Sequence, residues 1–422
     1  GSSLAASDLN SLDSKTSGLV TTSTGLVTLT GTVAELNTAY GSGGLDIEGD
    51  EAVTINDTTV NAKDLNDLNN YTSGVINADT LTKLTGTLVD INTAFAADAA
   101  SSATISGLGD QTVELTDTTV LASDLNTLDD TYTNVNIDAT TVEVIEGTAA
   151  TVVALYAGKH ASGNGISGLG DENVTLTDTT VAATDLQSLY TVTPTTGTTG
   201  TIDASNVHTI TGSVANAQLV YDQTGTFTGL GSENITISGS SITQAVAALN
   251  TLNDSTTGNI DASNVGTLTG SIADLTTASA AAATTGNGIS GLGNEALTIS
   301  DTSVSGASIA ALTALNGDTT GTIDAAQIST FSGAASDLNT MYAGVVSQAG
   351  QDGILNLGNE AVTVTDTSVD ASVLATLNGH TSGTIDATAS ATITGTLAAV
   401  KSVYDAKITF GGNGLVLNAN GF

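Results

Sequence analysis

Along most of this chain apolar side chains recur with two alternating periods. β-Branched runs with every second residue apolar, as at residues 174–177 and 208–211, give way to stretches with apolar residues three or four apart. Examples of the latter are Leu186 and Leu189, Ile91 and Phe95, and Val152 with Leu155 and Tyr156. The first spacing predicts a strand with one buried face and the second a short helix. Several helical stretches open on a hydroxyl: Thr32 with Glu35, Thr87 with Asp90 and Ser271 with Asp274 have capping-box spacing or its aspartate variant. Fourteen such stretches are expected, the first at residues 4–12 and the last at 397–404. Helices of two to three turns are marginal alone in water, so each must bury its stripe against the strand layer.

The pattern is copied along the chain. Residues 168–190, GLGDENVTLTDTTVAATDLQSLY, have close variants beginning at Gly107, Gly229, Gly291 and Asn356, with a looser one from Glu48. The aspartate of the TDT motif falls at Asp57, Asp117, Asp178, Asp301 and Asp366, with Gly239 at the fourth copy, a spacing of 60 to 65 residues. Between these copies lies a related unit, best seen as TIDASNVHTITGSVANAQLVY up to Tyr221, so the long period is two half-repeats of about thirty residues.

A strand and a helix recurring at that interval predict a right-handed α/β solenoid with parallel stacked strands, one half-repeat per turn. The competing architecture is an all-β parallel β-helix in which the LNTL-type segments are loops. One elongated domain over residues 1–422 is expected. Its two-turn repeats run at about 44–106, 107–167, 168–228, 229–290, 291–355 and 356–410, with partial repeats at 1–43 and 411–422. Fourteen turns at the spacing of stacked strands would measure roughly 65 to 70 Å. Residues 4–12 read as a helix without its strand and residues 415–422 as a strand without its helix. Joined tail to head they make nearly a complete half-repeat. Two explanations fit: a cut through a longer array, or subunits that complete one another end to end as a filament.

Composition narrows the chemistry. Six lysines and no arginine stand against 43 acidic residues, a net charge of −37. Phosphate neutralisation needs a basic footprint, so nucleic acid is excluded as a partner, and an anionic membrane surface would repel the chain. No apolar run approaches the roughly 20 residues of a membrane helix. Cysteine is absent and only 3% of residues are aromatic, so the core is built from Ala, Val, Leu and Ile without disulfides or thiolate metal sites.

Stacking would turn the acidic positions into ladders. One contains Glu51, Glu172, Glu233, Glu295 and Glu360, interrupted by Gln111. A second contains Asp138, Asp203, Asp261, Asp324 and Asp386 with Asn77 as first rung, and the TDT aspartates, including Asp178, Asp301 and Asp366, form a third. Oxygen ladders beside glycines are candidate calcium ligands, since that hard cation takes six to eight oxygens. The alternative is that they are turn and cap residues bonded to their own backbone. Like charges two turns apart, about 10 Å, repel by only about 0.4 kcal/mol in water, so calcium is permitted but not required. The calcium β-roll nonapeptide and the EF-hand loop are both absent.

A Thr-x-Thr/Ser pattern, as at Thr175 and Thr177 or Thr363 and Thr365, would present outward hydroxyl columns resembling those of ice-binding solenoids. Lys83, Glu114 and Glu146 interrupt it with charge. His160, His208 and His380 occupy unrelated repeat positions and form no metal or triad constellation. The glycines of GLG read as turn residues with positive φ. Carboxylates repeated in every turn argue for structure, because an active site is built once. A turn that departs from the pattern would instead favour a binding or catalytic site, and the insert at residues 191–199, with the single Pro194, is the most aberrant.

In the strings TIDASNV, TITG, GLGNE and LTDTTVAATDL the sequence resembles the long Thr/Asp/Gly-rich tandem-repeat surface proteins of marine bacteria, cyanobacteria especially. The resemblance implies an extracellular coat, adhesin or filament at the cell surface and carries over no site residues. The expected function is a non-enzymatic structural module without a required cofactor. The alternative is a calcium-dependent adhesin binding a glycan, a surface or ice.

Overall fold

The computed structural model describes residues 2–22, 25–132, 135–158, 165–192, 200–223, 225–284, 286–346, 352–409 and 415–417. His160, the 193–199 part of the Pro194 insert and residues 418–422 lie outside them. Two compact units are present: residues 1–207 with 223–229, and residues 208–222 with 230–422.

The fold is an α/β solenoid. Fourteen helices occur among the described residues, from Ala6–Asp13 to Leu397–Thr409, with short parallel strands between them. Helices of eight to thirteen residues dispose of the pure β-helix. Most of the helices bury a stripe at their first, fourth and seventh positions, such as Val33, Leu36 and Ala39, or Ala183, Leu186 and Leu189. Within each unit every helix packs on the next.

Strand pairing differs from the expected single strand per turn. Coils hold two or three strands of two to six residues, and these belong to overlapping sheets. In the first unit, Ser2–Ala5, Leu26–Gly31, Ala52–Ile55, Ile76–Asn77 and Ile105–Ser106 form one five-stranded parallel sheet. Its inward column is Leu29, Val53, Ile76 and Ile105. The sheet begins immediately before the helix Ala6–Asp13 and ends after the helix Leu88–Ala99, so it slants across the helix layer. The second unit repeats the arrangement with the column Leu268, Leu297, Ile323 and Ile354. The strand Ser2–Ala5 also corrects the reading of residues 4–12, because Leu4 belongs to a strand and the first helix is preceded by one.

Polar side chains cap the helices and fasten one coil to the next. Thr32 and Glu35 form a complete capping box, with Thr32 Oγ1 accepting from the Glu35 N–H at 3.2 Å and Glu35 Oε2 from the Thr32 N–H at 3.0 Å. In the aspartate variants the shorter side chain bonds the cap hydroxyl instead: Thr87 donates to Asp90 and Ser271 to Asp274, each at 2.7 Å. A second interlock joins the helices. The Nδ2 groups of Asn37, Asn66, Asn126 and Asn250 donate to the carbonyls of Asp64, Asp90, Thr151 and Asp274, in each case in the first turn of the following helix, at 2.9 Å.

Candidate functional site

The three acidic ladders have three different duties. The TDT aspartates cap helices of the preceding coil. Asp57, Asp117, Asp178, Asp301 and Asp366 accept from the first helical N–H groups of Val33, Leu88, Ala149, Ile272 and Ala335 at 2.7–2.8 Å. A carboxylate there meets both an unpaired donor and the positive end of the helix dipole. Gly239 supplies no such oxygen to the helix Val214–Tyr221.

The second ladder forms Asx turns. Oδ1 of Asp138, Asp203, Asp261, Asp324 and Asp386 accepts the N–H two residues on, from Thr140, Ser205, Ser263, Ala326 and Thr388, at 2.9–3.1 Å. Hydrogen bonds from Thr388 hold the Asp386 carboxyl below its ordinary range. Across the sheets these aspartates do not stand beside one another: Thr236, Asp261 and Ser290 are neighbours, as are Thr175, Asp203 and Thr228, while Asp138 lies between Glu114 and Ser167. The hydroxyl columns are therefore interrupted, by Asn77 in the first sheet and by a carboxylate in the other five-stranded sheets, and do not make a continuous threonine face. The charged interruptions Lys83 and Glu114 pair with each other at the surface.

The glutamates are buried. Glu51, Glu172, Glu233 and Glu360 are 1–4% exposed, and each carboxylate accepts the N–H of the glycine two residues earlier, as Glu172 does from Gly170 at 2.7 Å. A tyrosine from the end of the preceding helix completes the shell. Tyr40, Tyr156, Tyr221 and Tyr342 donate to Glu51, Glu172, Glu233 and Glu360 at 3.1, 2.7, 2.9 and 2.8 Å. Burial, reinforced by the adjacent carboxylate, pushes all four phenols well above their ordinary range.

Glu51, Glu233, Glu295 and Glu360 are also held through the main chain. Thr72, Thr256, Thr319 and Thr381 donate to the carbonyls of Glu51, Glu233, Glu295 and Glu360 and accept the N–H of the glycine two residues on, at 2.9 Å. Glycine is needed there for space, because a Cβ at Gly74, Gly258, Gly321 or Gly383 would overlap the glutamate carbonyl. The GLG glycines do have positive φ, as expected; Gly231, Gly293 and Gly358 lie at +122°, +116° and +121°.

Two rungs depart from the tyrosine–glutamate pair. At one, Phe95 occupies the tyrosine position and Gln111 the glutamate position. Gln111 Oε1 takes the Gly109 N–H at 2.7 Å and Nε2 donates to the Gly107 carbonyl at 2.8 Å, so the neutral amide is satisfied without a phenol. At the other, Ser279 replaces tyrosine while Glu295 is retained.

The sequence singled out the glutamate positions but not their tyrosines. The available signal was the concentration of Tyr40, Tyr156, Tyr221 and Tyr342, with Phe95, at one repeat position in a chain of few aromatics. Among the described residues no group of three His, Cys, Asp or Glu side chains is placed to hold a metal ion together, and no helix is long and apolar enough to cross a membrane. His380 stacks on Tyr342 with ring centroids 5.4 Å apart. No family model matches the chain, and no curated protein matches it.

The phenols make stability pH-dependent. Below about pH 10 tyrosine is neutral in both states; above it the unfolded chain loses protons that the folded chain keeps, so stability falls as pH rises. The denaturant midpoint is expected to be flat through neutral pH and to drop above about pH 10, with the tyrosinate absorbance of the four buried phenols appearing only with unfolding. An absorbance rise that reaches its full eight-tyrosine amplitude before unfolding would contradict buried phenols.

Proposed function

We propose that the chain is a non-enzymatic structural module acting outside the cell, a repeat solenoid that builds a surface layer or a filament by lengthwise self-association. The observation that carries this reading is the recurrence of one polar constellation, tyrosine, glutamate and glycine, at equivalent atoms in four of the six repeats. Catalysis needs a differentiated site assembled once, whereas a load distributed along an array needs the same fastening everywhere. The acidic side chains support the same reading, since each ladder has a hydrogen-bonding duty that requires no cation. The absence of a basic footprint speaks against nucleic acid as the scaffolded partner.

Electron microscopy of the purified protein at neutral pH, with and without calcium, tests this. Filaments under both conditions are expected, together with one melting temperature in calcium and in chelator. Isolated particles throughout would favour a monomeric binding module. Assembly or stability lost in chelator would assign the aspartate ladders to calcium and favour the adhesin.

A further inference from the structure

We infer that the cavity beside Glu295 is a binding site for a single para-substituted phenolic ring. In the four intact rungs a tyrosine ring enters from the end of a helix and donates its hydroxyl to the buried glutamate. On the helix Ile272–Ala282 the equivalent residue is Ser279, and the space is a cavity of about 260 Å³. Leu268, Leu275, Leu297 and Leu315 make its apolar side, and Ser279, Asp318, Thr319 and the buried Glu295 its polar side.

Glu295 is 6% exposed and keeps the usual backbone donors, Gly293 at 2.6 Å and Asn294 at 3.1 Å, both on Oε2. The phenol that its counterparts receive is missing from its shell. The second aromatic position has changed as well. Where Tyr71 stacks on Tyr40 and His380 on Tyr342, this rung has Asp318, whose Oδ2 accepts from Ser279 Oγ at 2.5 Å across the mouth.

The neutral rung shows how this chain closes the same slot when no ligand is needed: Phe95 fills it and Gln111 removes the charge. The Ser279 rung does neither, leaving a half-apolar slot with a carboxylate acceptor. A dry cavity of about 150 Å³ suffices for benzene in another protein, so one ring fits here and a drug-sized ligand does not. Geometry fixes the orientation. The hydroxyl bonds Glu295, and the para substituent points to Ser279, where the tyrosine main chain lies in the other rungs. Such a ring can come from a free phenol or from a tyrosyl side chain of a peptide.

The test is titration calorimetry of the full chain with 4-methylphenol, toluene and the capped tripeptide Gly-Tyr-Gly. 4-Methylphenol is expected to bind at least tenfold more tightly than toluene, because only it can donate to the buried carboxylate. Ser279→Tyr should abolish binding and raise the melting temperature by filling the slot from within. Glu295→Gln should leave toluene binding in place and erase most of the preference for the phenol, which a merely structural glutamate would not do. Tripeptide binding that competes with 4-methylphenol assigns the ring to a protein side chain, and binding of the free phenol alone assigns it to a small molecule. Equal affinity for toluene and 4-methylphenol, no binding of either, or undiminished binding by a folded Ser279→Tyr variant overturns the proposal. Filament formation is scored separately in the same variants, so failure of assembly and failure of ring binding are distinguishable.

Discussion

Gly258→Ala is expected to destabilise the second unit by about 3 kcal/mol or more, a cost at or above the upper end of overpacking because the obstacle is main chain and cannot rotate away. A Cβ at Gly258 would overlap the carbonyl of Glu233 and crowd the amide of Asn234. It would force apart two coils that the Thr256 hydroxyl draws together. The control is Gly317→Ala. Gly317 lies inside the helix Ala307–Asp318 with nothing within 4 Å of an added Cβ, so alanine should be neutral or stabilise by up to about 1 kcal/mol through helix propensity and a less flexible unfolded chain. Denaturant midpoints of the two variants read the contrast directly. Equal effects would mean that the Thr-x-Gly contact does not hold the coils at the described separation.

Tyr342→Phe should cost about 2 kcal/mol, the loss of a buried hydrogen bond to a charged acceptor, and Glu360→Gln made in that background should recover most of it. The pair copies the natural Phe95–Gln111 rung, in which the amide finds carbonyl partners of its own. Tyr342→Phe leaves Glu360 with its glycine donor but without the phenol that shields it from the core, so a buried charge loses a partner. A double-mutant cycle should give a coupling above about 1 kcal/mol. Additive effects would show that the hydroxyl and carboxylate contribute independently, and that Phe95 with Gln111 is coincidental drift.

The period was legible in the sequence because it rests on helices, and those are legible for a physical reason. A stripe such as Leu36 and Ala39 behind the Thr32 cap is a local signal, and its repetition along the chain favours the α/β solenoid over the β-helix. Strands of two residues carry no period of their own. Ile76–Asn77 is a strand only because Val53 and Ile105 flank Ile76 in neighbouring coils, so division of each coil among several sheets could not be read from the chain alone.

The acidic ladders were visible as positions, but not in their chemistry. A carboxylate that caps an N–H and one that binds calcium satisfy the same need for positive charge, and spacing does not separate them. The cap on Ala149 comes from Asp178, the next coil's residue. The tyrosine–glutamate pairs were missed because connections of varied length separate their members: 11 residues between Tyr40 and Glu51, but 18 between Tyr342 and Glu360.

The slanting sheets set the step in which such an array can grow. New sheets open at Thr59–Asn61 and Thr119–Leu121 in the first unit and at Ile242–Ala245 and Ser303–Ser305 in the second, once for every two helices. Inserting or deleting a single coil would bring a three-strand coil against the partner of a two-strand one and leave main-chain donors facing no acceptor. Removing two restores every register. Length in this chain is therefore quantised in pairs of coils, about sixty residues at a time, and gene duplication can lengthen or shorten it without repair only in that unit.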